Sequence, residues 1–231
     1  MNTNKKTARI AGFLYFMYFV TSIIANLFGR FDLVDTPATV NNIMAHESLF
    51  RIGFVISLFS VVFFLLAAWA LYVLLKPVNK NIALLFLLLN LGGFAIWCFS
   101  MLNLFAGLLL LSGADYLKVF QPDQLQAQAM LFINLRKNGA IIAQIPYGIW
   151  LFPLGYLVFK SGFLPKMLGI LLIVDCFGLL IYVFQCFLLP GYKVISYPCL
   201  VVSFIAKLSL TLWLLIKGVK DQEPALADGQ N

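Results

Sequence analysis

The chain has 231 residues, 62% of them hydrophobic and 11% charged, with a formal net charge of +7; a soluble domain has roughly a quarter of its residues charged. The apolar residues fall in runs of about twenty, long enough to cross a ~30 Å hydrocarbon layer, and no single water-soluble core of this length hides so much apolar surface. Composition therefore excludes an ordinary soluble enzyme. The cations sit in short loops between apolar runs, with no basic stripe interleaved with aromatics, which excludes nucleic acid and leaves membrane lipids as the partner.

In chain order, Lys5, Lys6 and Arg9 precede an apolar stretch at 10–28. The pattern resembles a secretory signal, but the stretch is too long for its apolar region and no small-x-small cleavage site follows. An uncleaved first span at 9–28 is predicted. Further apolar runs predict spans at 51–75, 82–111, 139–159, 166–189 and 197–217. The fold class is all-α: a six-helix transmembrane bundle forming one domain over 1–220, followed by a disordered polar tail at 221–231. The third span would measure roughly 45 Å at the α-helical rise, so it tilts or protrudes.

The hairpin loops "KPVNKN" and "KSGFLPK" are short, basic and free of acids. The loops on the other side mix Arg30, Arg51, Lys118, Arg136, Lys137 and Lys193 with Asp32, Asp35, Glu47, Asp115 and Asp123. The positive-inside rule then puts both termini in the cytoplasm. Three inward-running spans end alike, with Tyr72 before Lys76, Tyr156 before Lys160 and Trp213 before Lys217. A ring at the headgroups and a cation in the water beyond explains the pattern without invoking an internal repeat.

Two outer loops are longer. Thr36 as N-cap and Pro37 at the first helical position open a short helix toward Glu47. Pro122 opens another, with Leu125, Ala129 and Phe132 on one face. Both are expected to lie across the outer surface or to cover the mouth of the bundle.

The segments "ALYVLLKPVNKNIALL", "WLFPLGYLVFKSGFLPKMLGILLI" and "LTLWLLIKGVK" resemble the membrane-protein family known as domain of unknown function 4386 across nearly the whole chain. The resemblance implies a multi-pass bacterial membrane protein with no established activity.

Lys207 lies about ten residues from either end of the sixth span, near mid-membrane, where an unpaired charge costs at least ~2.5–3.5 kcal/mol. Asp175 is nine residues after Lys166, and Lys207 is ten residues before Lys217, at the same membrane face. In consecutive antiparallel helices both groups therefore sit roughly 14 Å from that face. A direct Asp175–Lys207 pair is the natural inference, either as part of a functional intramembrane site or as a contact that only docks two helices. Asn90 and Gln144 reach comparable depth, and Pro146 and Pro153 free backbone carbonyls in the fourth span. At the outer mouth, Arg51 and Arg136 are candidates for an anion or headgroup contact, with local pairing to Glu47 or Asp123 as the competing reading.

No nucleophile elbow, P-loop or dinucleotide fingerprint is present, so no catalytic residue is assigned. His46 alone cannot build a zincin or bis-histidine haem site, and Cys98, Cys176, Cys186 and Cys199 form no CxxC. Neither metal nor cofactor is expected. The sequence supports a carrier or ligand-binding membrane protein for a small molecule or ion, using a polar intramembrane site. The alternative is a structural or regulatory protein whose buried charges only specify packing. Oligomeric state is not legible.

Overall fold

The computed structural model describes residues 3–29 and 46–219. The helices are α1 (Thr3–Gly29), α2 (Glu47–Leu75), α3 (Lys80–Leu110), α4 (Pro122–Ile149), α5 (Leu151–Lys160), α6 (Lys166–Leu188) and α7 (Ser196–Ile216). Among the described residues there is no strand. Six segments are long and apolar enough to cross a membrane, with α4 and α5 together making one span of 39 residues. The protein is an integral, multi-pass membrane protein. An even number of crossings puts Thr3 and Ile216 on the same side.

Each span packs on its sequence neighbours, and α1 closes the circle by packing on α7 as well as on α2. The result is a ring of six spans in chain order. Local chemistry places the corners. The Asn79 side chain accepts from the Ile82 amide at 3.1 Å and starts α3, as an N-cap does. In the next basic loop Gly162 takes a positive φ of 72°, which costs glycine nothing, and Ser161 Oγ accepts from Leu164 N at 3.2 Å.

The expected surface helix at Pro122 is corrected. Gln121 and Gln124 do form a capping box around Pro122, but α4 then runs straight into the membrane through the predicted start at 139. Its N-terminal part has a partner: a side-chain carbon added at Gly107 of α3 would lie 3.4 Å from the Ala129 carbonyl oxygen. Two long helices supporting each other need not lie down on the surface. At the helical rise, α4 and α5 span roughly 58 Å against ~30 Å of hydrocarbon, so this pair extends beyond the bilayer. The helix predicted from Thr36 and the tail 221–231 fall outside the described residues.

The break between α4 and α5 falls at Trp150 and has a backbone cause. Pro146 and Pro153 lack the N–H that would bond one turn back. Trp150 N still donates to the Pro146 carbonyl at 3.0 Å and its own carbonyl accepts from Leu154 N at 3.2 Å, so the axis continues through the defect.

In the half of the ring nearer the lysines, packing is tight. Leu71, Leu74 and Leu75 of α2, Phe86 of α3, Leu151, Leu154 and Leu157 of α5, Leu172 of α6 and Leu210 and Leu214 of α7 are all at most 2% exposed. Backbones touch there: a side-chain carbon at Gly155 would sit 2.6 Å from the Gly169 carbonyl oxygen, and one at Gly12 2.6 Å from Leu215 N. Small residues permit such approach between membrane helices, where dispersion replaces the hydrophobic effect. At the same end the Lys217 ammonium stands 4.5 Å from the Trp213 ring centre, a cation–π contact.

Candidate functional site

Toward the other end of the ring the axis opens into a cavity, beside a second packed cluster of Phe50, Met101, Leu104, Leu108 and Ile133. A cavity of about 210 Å³ is lined by residues of α1, α2, α3, α4 and α7, and by Trp150. Its polar wall is built from helical spacing: Ser22 and Asn26 are one turn apart on α1, Ser57 and Ser60 nearly so on α2, and residues four or three apart share a face. Ser22 and Ser60 hydroxyls bond each other across the α1–α2 contact at 2.6 Å. Asn26, exposed near the C-terminal end of α1, donates to the Ser22 carbonyl at 2.8 Å. Gln144 and Ser57 line the cavity and neither hydrogen-bonds another described residue, so each offers its polar atoms to whatever fills the space.

Aromatic rings close the cavity toward the packed half. Phe64 is the hub, with Tyr18 stacked at 4.6 Å and Tyr147 and Trp150 edge-on at 5.2 Å each. Trp150 in turn lies 6.1 Å from Phe86, inside the closed half. Such offset and T-shaped pairs are favourable ring geometries.

Lys207 reaches this cavity from α7. Its ammonium donates to Ser203 Oγ at 2.5 Å and lies 3.6 Å from Asp175 Oδ2. Lys207 keeps 16% of its side chain exposed, whereas Asp175 is wholly buried and is not part of the cavity wall. Among the described residues neither carboxylate oxygen accepts a hydrogen bond, and 3.6 Å exceeds the roughly 2.7–2.9 Å of a charge-assisted one. The contact is electrostatic, with the acid behind the base.

The remaining sequence candidates separate. Gln144 and Arg136 line the cavity with Lys207. Asn90 is fully buried away from it, its amide without a hydrogen bond among the described residues. Arg51 is also off the wall, its Nε donating to Glu47 Oε1 at 2.7 Å. Sequence reasoning passed over Tyr18, Ser22, Asn26, Ser57, Ser60, Trp97 and Tyr147. The i, i+4 and i, i+3 polar pairs on α1 and α2 were the available signal. All four cysteines are free.

The model of the family described as domain of unknown function (DUF4386) matches residues 10–218. The chain belongs to this family. A protein of Archaeoglobus fulgidus described as uncharacterised is 32% identical over 156 residues, which cover 68% of this chain and 77% of that relative. No solved structure matches the chain significantly.

Proposed function

We propose that this family member is a ligand-binding membrane protein acting as a small carrier, and that the cavity in its ring is the binding site. The observation that carries this reading is Lys207 lining a cavity that also holds Gln144 and Ser57. An intramembrane cation is expensive, and facing a polar cavity is how it is accommodated where ligands pass. Closed packing on one side and space on the other also fits a site reached from one face of the membrane. The Asp175–Lys207 contact has a second consequence, since complete burial of the acid makes the pair a fixed point between α6 and α7. We place both termini in the cytoplasm, from the acid-free basic loops, and the chain in a bacterial inner membrane, as the family resemblance implies.

The test is accessibility. In a chain with Cys98, Cys176, Cys186 and Cys199 replaced by Ser or Ala, Ser57→Cys should react with a membrane-impermeant thiol reagent added from outside, and Val55→Cys, on the exposed apolar face, should not. An unreactive Ser57→Cys sinks the reading. For orientation, a periplasm-dependent reporter fused after Ser112 should be active and one fused after Lys160 inactive; the reverse pattern inverts the topology.

A further inference from the structure

The charge on the cavity wall selects among ligands. Arg136 and Lys207 line it, and among the described residues no Asp or Glu does. Asp175 sits behind Lys207 with no exposed surface, so its negative charge offsets the cost of the ammonium without meeting the ligand. An ammonium has three N–H donors. Ser203 takes one at 2.5 Å, and Asp175 at 3.6 Å is too distant to hold another tightly. Donor capacity is therefore left toward the cavity, which the Gln144 amide also lines. The same cavity is also lined by Val61, Phe64, Trp97, Tyr147 and Trp150, an apolar and largely aromatic set.

We infer that the cavity takes an organic anion, its carboxylate or phosphate head on Lys207 and its flat or apolar body against Phe64, Trp97 and Trp150. The inference rests on the cavity being a binding site and adds the ligand's class. A ligand cation would be repelled by the Lys207 ammonium in a low dielectric, and a neutral ligand would offer its remaining N–H donors only an uncharged, weaker acceptor. Size agrees: roughly 150 Å³ of apolar cavity suffices for benzene, so about 210 Å³ accommodates a ring with a small anionic head. A soluble organic acid and an anionic lipid headgroup with the start of its chain share this chemistry.

The experiment uses three probes with one ring and three head charges: benzoate, benzyl alcohol and benzylammonium. The full chain is placed in nanodiscs of phosphatidylcholine and titrated while its tryptophan fluorescence is followed, since Trp97 and Trp150 line the cavity. Benzoate should give a saturable change with a Kd at least tenfold below that of benzyl alcohol, the scale of one charge-assisted hydrogen bond; benzylammonium should give none. In Lys207→Gln/Asp175→Asn, which neutralises both partners at nearly constant shape, the preference should shrink to within about twofold. If phosphatidylglycerol in the disc raises the benzoate Kd, the lipid headgroup is the natural occupant; an unchanged Kd points to a soluble acid. Benzyl alcohol binding as tightly as benzoate overturns the anion assignment while leaving the cavity as a binding site, and a double variant that keeps the preference overturns the placing of the head on Lys207. No saturable response to any probe removes the binding site itself.

Discussion

The two halves of the ring share α1, α2, α3 and α7 and are both largely apolar in sequence, yet one is filled along its axis and the other encloses a cavity. Near the lysines, Leu74 and Leu75, Leu154 and Leu172 leave no space, and Gly155 meets Gly169 backbone to backbone. Across the Phe64–Trp150 layer, the inward positions carry Ser22, Ser57 and Ser60, side chains too short to reach the ring axis. Hydropathy does not distinguish these cases. Side-chain length at the few positions facing the axis does.

The sharpest way to break that contrast is to force space into the filled half. Gly155→Leu puts a side chain where its first carbon already lies 2.6 Å from the Gly169 carbonyl oxygen; backbone on backbone cannot yield. It should abolish monodisperse protein in size-exclusion chromatography, and normal elution would mean that the half is looser than described.

Asp175→Ala should come next, at about 3–5 kcal/mol, because it strands the Lys207 ammonium in the membrane. Lys207→Leu/Asp175→Ala should recover most of this in denaturant unfolding in detergent; failure to recover would show that the pair is not what Asp175 contributes. Leu172→Ala, a cavity opened among filled neighbours, should cost about 2–4 kcal/mol in the same assay. The smallest effect belongs to the cavity wall. Ser57→Ala has no hydrogen bond to another described residue to lose and should stay within about 0.5 kcal/mol of the parent. A larger loss would mean that Ser57 supports the fold and is not a free wall.

The spans were legible because twenty consecutive apolar residues leave a segment few other places to go. The join between α4 and its outer extension was not. "QPDQLQAQAM" and "NLRKNG" look like loop chemistry in a hydropathy window, and only the parallel length of α3 makes a continuous helix preferable. Depth arithmetic gave Asp175 and Lys207 equal heights, and they stand 3.6 Å apart. The same arithmetic grouped Asn90 with Gln144, although Asn90 is buried off the cavity. Counting residues from a lysine fixes height along a helix and says nothing of azimuth, which depends on which neighbours the helix finds. The serines of α1 and α2 escaped for a related reason: hydroxyls in membrane helices often bond their own backbone, as Thr21 does to the Met17 carbonyl at 2.6 Å.

The 39-residue rod of α4 and α5 also decides how this protein can be seen. A small six-span bundle buried in a detergent micelle offers almost nothing to align in electron-microscope images. Here the first turns of α4, with α3 packed against them, reach past a hydrocarbon layer that the rod exceeds in length. An antibody fragment raised against those turns would ride on the molecule without a hinge, giving each particle a recognisable orientation.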